Sequence, residues 1–171
     1  MRTASRFSRQ ARSGRRRASP RGMTLIELMI ALVIVGILTA VALPLYTRYQ
    51  QRSYAAQAQA DLGVCAQAME RHYTVNFRYE DAADDGGGGT ANTGAPLGTV
   101  CPSASPPRGN ALFNITIAAA DANSYTLRAT PVGGGPAAEV GLLEIDATGL
   151  RRWDKNNDGD TNDAGEDNWD I

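Results

Sequence analysis

The feature that most constrains this chain is an apolar run close to its N-terminus. After Glu27 no charged residue occurs until Arg48, and residues 28–45 are almost entirely aliphatic. An α-helix rises 1.5 Å per residue, so a run of this length can cross a bilayer core of roughly 30 Å. We therefore predict a membrane-spanning helix over residues 23–46.

The charges on either side of this run are unevenly divided. Residues 1–22 hold eight of the 17 lysines and arginines and no acid, which leaves nine cations against all 18 acids in the rest of the chain. The basic character therefore belongs to the N-terminal segment, and we expect no nucleic acid partner. The positive-inside rule places that segment in the cytoplasm and the C-terminal domain on the other side of the membrane.

The residues after the apolar run continue as a second helical pattern. Apolar side chains recur at steps of three and four, which predicts the buried face of an amphipathic helix over residues 47–75. Its members are Tyr54, Ala58, Leu62, Cys65 and Met69. Pro44 lies inside the combined helix, where it removes a backbone donor, so we expect a kink or a locally melted turn.

A head domain over residues 76–171 is predicted to follow the helix. Glycines and prolines make residues 76–110 a loop, and alternating apolar residues predict strands at 111–118 and 124–130. Two shorter strands follow at 142–145 and 150–153. We expect an α+β fold in which a small antiparallel sheet of three to four strands (111–153) packs against the helix, with an acidic loop at 154–171.

The two cysteines, Cys65 and Cys101, lie 36 positions apart on the predicted helix and loop. A domain outside the cytoplasm permits a disulfide, which would stabilise the fold by roughly 4 kcal/mol in the chain-entropy account. The alternative is a buried free Cys65 and an incidental Cys101.

The N-terminal segment fits more than one kind of targeting signal. Ala40-Val41-Ala42 satisfies the small-x-small rule for a secretory signal, which would leave Leu43 as the new terminus. An uncleaved signal anchor is a second alternative. Neither explains Glu27, because a carboxylate in the membrane region is costly and by default functional.

The stretch Gly22-Met23-Thr24-Leu25-Ile26-Glu27-Leu28, between a basic leader and an apolar run, resembles the processing motif of type IV prepilins. The resemblance implies that residues 1–22 are cleaved by a prepilin peptidase between Gly22 and Met23 and that Met23 is N-methylated, although the family more often has Phe there. It also implies that Glu27 pairs with the terminal amine of a neighbouring subunit. Pro44 matches the helix-breaking proline of the family.

This resemblance implies a structural function. The chain would be a minor pilin, held in the inner membrane of a Gram-negative-type envelope with its C-terminal domain in the periplasm. It would then be assembled with other pilin subunits into a surface pilus by an assembly platform. One alternative is a pseudopilin of type II secretion. Another is a membrane-anchored binding or adhesion module. No catalytic motif is recognised, so we predict no enzyme.

The acidic loop resembles the first half of a calcium-binding loop. Alternating oxygen side chains around a glycine can converge on a hard cation. The candidate ligands are Asp154, Asn156, Asp158, Asp160 and Glu166. Glu166 lies one place beyond the position expected for the bidentate acid, so a solvated turn is the alternative. No other cofactor is expected.

Overall fold

The computed structural model describes residues 22–170 and has the α+β architecture predicted from the sequence. One helix, α1 (Leu25–Asn76), is followed by seven short strands. The strands are β1 (Ala83–Asp84), β2 (Thr90–Ala91), β3 (Ala104–Ser105), β4 (Phe113–Ala120), β5 (Tyr125–Pro131), β6 (Leu143–Asp146) and β7 (Arg151–Trp153).

Helix α1 continues through Pro44 without interruption. The expectation of a melted turn at this proline is therefore wrong, while a bend there stays a prediction. The helix ends where Phe77 adopts a φ of 56° and donates its N–H to the carbonyl of Tyr73 at 2.7 Å. A left-handed residue in this place satisfies an orphan carbonyl, although the position usually favours glycine.

Two units meet within α1, one ending at Val41 and the other beginning at Ala42. The second unit contains the hydrophobic core. Six residues of α1 are buried there, and they include Ala58, Leu62, Cys65 and Met69 of the predicted face. This arrangement confirms that the amphipathic part of the helix covers the sheet.

The sheet is antiparallel, with strands in the order β3-β4-β5-β6-β7. Along β4 the side chains of Phe113, Ile115 and Ile117 are buried, and along β5 those of Tyr125 and Leu127 are buried. The predicted alternation is thus confirmed. Strand β4 begins two residues later than expected and contains a register shift between Ile117 and Ala119.

The prediction of at most four strands is corrected by β3. The N–H of Leu112 donates to the carbonyl of Ser105 at 2.7 Å, and the N–H of Ile115 donates to Ser103 at 2.9 Å. These bonds add a fifth strand at the edge of the sheet. A two-residue strand flanked by prolines carries no alternating pattern, which is why the sequence did not predict it.

The segment between α1 and β4 is mostly loop, as predicted, but it also contains a small hairpin. Strands β1 and β2 pair across the glycine run at residues 86–89. Asp85 accepts hydrogen bonds from the N–H groups of Gly87 and Gly89 at 2.7 and 2.8 Å. These bonds favour the charged carboxylate and lower the pKa of Asp85.

Candidate functional site

The apolar part of α1 is the most exposed hydrophobic surface in the described chain. Leu25, Leu32 and Leu45 are 76%, 63% and 60% exposed, and the aliphatic residues between them are similarly bare. By length and composition this part of the helix can cross a membrane. So large an apolar surface requires a cover from outside the chain, either lipid or another protein.

Thr24 and Glu27 form a reciprocal pair at the start of α1. The N–H of Glu27 donates to the hydroxyl of Thr24 at 3.3 Å, and the N–H of Thr24 donates to the Glu27 carboxylate in a long bond of 3.5 Å. This is a capping box, which satisfies two backbone donors that the first helical turn leaves free. Its Thr-x-x-Glu spacing was present in the sequence, but the prediction considered only the charge of Glu27.

Gly22 and Met23, the predicted cleavage pair, directly precede this capping box. Both are exposed and neither is helical. The residues of the predicted leader before Gly22 lie outside the described part of the chain. The predicted cut and the methylation of Met23 therefore remain predictions, as does the role of Pro44 in assembly.

A disulfide joins Cys65 to Cys101. Cys65 is buried on α1 and Cys101 is buried in the segment before β3. The predicted bridge is confirmed, and it attaches the proline-rich segment directly to the helix. His72, further along α1, is hydrogen bonded to the carbonyl of Glu80 at 3.0 Å and thus ties the next loop to the same helix.

Glu70 connects α1 to the loop that follows it and to the sheet through two tyrosines, Tyr79 and Tyr125. The hydroxyls of Tyr79 and Tyr125 donate to its carboxylate at 3.0 and 3.2 Å. Burial, together with the charge of Glu70, raises the pKa of both tyrosines. The tyrosines therefore remain protonated donors throughout the physiological range.

The C-terminal acidic loop is bonded to the sheet at Glu144 and Arg152. Glu144 on β6 is buried, and it accepts a hydrogen bond from Thr161 at 2.9 Å. Its other oxygen pairs with Arg128 of β5 at 2.7 Å. The indole N–H of Trp169 then donates to the carbonyl of Arg152 at 2.9 Å. This buried acid was missed because alternation predicts an outward, solvated position for Glu144.

The predicted calcium ligands do not assemble into a metal site. Asp154 and Glu166 are buried, and each accepts two backbone hydrogen bonds within the loop. Asn156 instead donates to the carboxylates of Asp158 and Asp163. Within residues 22–170 no group of three or more histidine, cysteine or acidic side chains is placed to hold a metal. The loop is closed by its own hydrogen bonds. Calcium binding by these residues therefore stays a prediction.

Comparisons with known protein families agree with the geometry of the helix and the head. Residues 17–43 match the prokaryotic N-terminal methylation motif. Residues 44–139, more than half of the chain, match the family described as the type IV minor pilin ComP, DNA uptake sequence receptor. The chain belongs to this family of type IV minor pilins.

Curated relatives of this minor pilin are also pilus proteins. The type IV major pilin protein PilA of Myxococcus xanthus is 32% identical over 74% of this chain and 50% of its own length. The type IV major pilin protein PilE1 of Neisseria gonorrhoeae is 58% identical over 22% of this chain and 23% of its own. The matched part of the chain thus spans half or less of these relatives.

A search of solved structures finds the non-core minor pilin PilV of Neisseria meningitidis. The match includes 68% of this chain and 93% of the PilV chain, with 18% sequence identity and a TM-score of 0.45. The family models and the curated relatives favour a pilin over a pseudopilin of type II secretion. The family is one of structural proteins.

Proposed function

We propose that this chain is a structural subunit of a type IV pilus. It is first held in the inner membrane by the apolar part of α1 and then assembled through helix packing with other pilin subunits. The observation that carries the proposal is the exposed run of aliphatic side chains from Leu25 to Leu45, whose only charge is Glu27. A surface of this kind is stable in lipid and, after extraction, among other apolar helices.

Processing between Gly22 and Met23 by a prepilin peptidase, with methylation of Met23, belongs to the same proposal. The match to the methylation motif and the exposure of both residues support it. The cut would create a terminal amine four residues before Glu27. In a filament, the carboxylate of one subunit would pair with the amine of the next, and an unpaired buried charge would disfavour other axial registers.

Sheared surface filaments provide the test of this proposal. N-terminal sequencing of the protein in them should begin at a methylated Met23. A terminus at Leu43 would instead show cleavage after Ala42, and an intact N-terminus would show an uncleaved anchor. Either result would contradict the proposed processing.

The role of Glu27 needs a matched control, because this residue also caps α1. Glu27→Ala removes both the charge and the cap, whereas Thr24→Ala weakens the cap and keeps the charge. We expect Glu27→Ala to be processed and to be largely absent from filaments, while Thr24→Ala enters them. Equal loss of both variants would show that Glu27 acts through capping alone.

The second candidate function is DNA recognition, because the matched family is described as a DNA uptake sequence receptor. That match lies over the second half of α1 and much of the head. The charge of the chain opposes strong binding, since nine cations face 18 acids after residue 22. Titration of a labelled duplex at 50 and 200 mM salt is the test. Micromolar binding that weakens steeply with salt would overturn the expectation that no nucleic acid is bound.

A further inference from the structure

The base of the head domain carries a pocket that pilus assembly does not explain. It is lined by two arginines from α1, Arg48 and Arg52, and by Lys155 from the start of the C-terminal loop, with Glu139 as its one carboxylate. We propose that this pocket binds the phosphate headgroup of an anionic phospholipid while the subunit is held in the membrane. The inference rests on the proposed membrane-anchored state.

Charge is the first argument for an anionic ligand. The ion pairs in residues 22–170 are formed by Arg78, Arg128 and Arg152, so none involves the three cations of the pocket. The Lys155 ammonium is held by the neutral oxygens of Gly165 and Asn168, at 3.0 and 2.7 Å. Its position is therefore fixed, and no ion pair to a carboxylate occupies it within residues 22–170. Guanidinium groups add the paired donors that suit phosphate oxygens.

The position of the pocket is the second argument. Arg48 is the first charged residue after the apolar run, so it lies at the polar edge of the bilayer when that run spans the membrane. Tyr46 and Tyr49, which flank it, are 60% and 74% exposed. Tyrosine and tryptophan gather at membrane–water interfaces, where an apolar ring can carry a polar tip. These tyrosines mark the headgroup level independently of the charges.

Trp153 is a residue of the head that lies in the same pocket as the arginines of α1. It lines the pocket, and the Lys155 ammonium lies 5.7 Å from the centre of its ring. The indole N–H donates to the carbonyl of Val140 at 2.7 Å, so the ring is held in a fixed orientation. An aromatic ring beside a fixed ammonium and two arginines fits a ligand with an apolar glycerol ester region and an anionic phosphate.

Native mass spectrometry of the protein beginning at Met23 can test this site in micelles that contain equal amounts of phosphatidylglycerol and phosphatidylcholine. Residues 1–22 are removed because their eight arginines would bind anionic lipid themselves. The wild type should retain phosphatidylglycerol in preference. Each basic residue near a membrane surface contributes about fivefold to the binding of anionic lipid. The variant with Arg48→Gln, Arg52→Gln and Lys155→Gln should therefore lose the preference by roughly a hundredfold.

Two further variants keep the test independent of folding and total charge. Arg71→Gln, Arg108→Gln and Arg151→Gln together remove the same number of exposed, unpaired cations, none of which lines this pocket. This control should keep the preference. Glu139→Gln removes the opposing carboxylate and should increase retention about fivefold, a gain that misfolding cannot produce.

The outcomes separate the lipid site from membrane anchoring. If the wild type resists alkaline carbonate extraction yet retains the two lipids equally, the lipid site is overturned and the membrane anchor stands. Equal loss of preference in both triple variants would also overturn it, because diffuse charge would then account for the binding. Extraction of the wild type by carbonate would contradict the membrane-anchored state itself.

Discussion

The two halves of α1 differ in how far the rest of the chain buries them. Residues of the first half such as Leu32 are 63% exposed, whereas Leu62 in the second half is fully buried against the sheet. Both belong to one continuous helix. The comparison teaches that the second half is covered by the head encoded in the same chain, while the first half depends on a cover that comes from elsewhere.

Loss of the disulfide should have the largest effect on the stability of the covered half of α1. Changing Cys65 and Cys101 to serine frees the loop from the covered half of α1 and should lower the free energy of unfolding by roughly 4 kcal/mol. Urea unfolding of the full-length protein in detergent, followed by tryptophan fluorescence, measures it, since both tryptophans lie in the head. Reduction of the wild type is the control and should give a similar loss. A change below about 1 kcal/mol would show that packing alone holds the loop.

A matched pair of leucines tests the two halves directly. Leu62→Ala leaves a cavity in the core and should cost about 2–5 kcal/mol of unfolding free energy. Leu32→Ala should change it by less than about 0.5 kcal/mol, because that side chain is 63% exposed and lies outside the core of the described residues. The same denaturation experiment in micelles measures both. Equal losses would show that the first half of α1 also contacts the head.

Among the changes to buried residues, the smallest effect at neutral pH should come from Tyr125. Tyr125→Phe removes the bond to Glu70 and should cost about 1 kcal/mol. Because the pKa of Tyr125 is higher in the folded state than its ordinary value of 10.0, its contribution is complete below pH 10 and declines as the pH rises further. Unfolding free energies measured from pH 7 to 11 should fall less steeply for the variant.

Tyr49→Phe is the control for this pH dependence. Tyr49 lies on α1 outside the buried face of the helix and is 74% exposed. Its variant should therefore follow the wild-type profile. If Tyr125→Phe fell as steeply as the wild type, another group would be responsible for the alkaline loss of stability.

The sequence predicted the features that arise from repeated patterns. The long helix, the buried faces of β4 and β5 and the bridge from Cys65 to Cys101 all follow from periodicity or from a pair of rare residues. Features that depend on a partner distant in the chain were missed. Strand β3 exists only because β4 pairs with it, and Glu144 is buried only because Thr161 and Arg128 supply its partners.

The candidate assembly site divides in the same way. Glu27 was identified from its unusual place beside an apolar run, and the motif around it was confirmed by the family match. The calcium interpretation followed the spacing of the acids. It did not anticipate that Asp154 and Glu166 would accept the backbone donors of their own loop. Spacing alone does not show whether an oxygen is left available for a ligand.

The anchoring of the C-terminal loop bears on how the protein should resist proteases. Residues 154–170 have no helix or strand, yet Thr161 is bonded to Glu144 and Trp169 to Arg152. A broad-specificity protease should therefore spare this tail and cut first at the glycine tip of the β1–β2 hairpin. A fusion partner added at the C-terminus would be attached to the sheet through these bonds. A mechanical force on the partner would therefore act on β6 and β7.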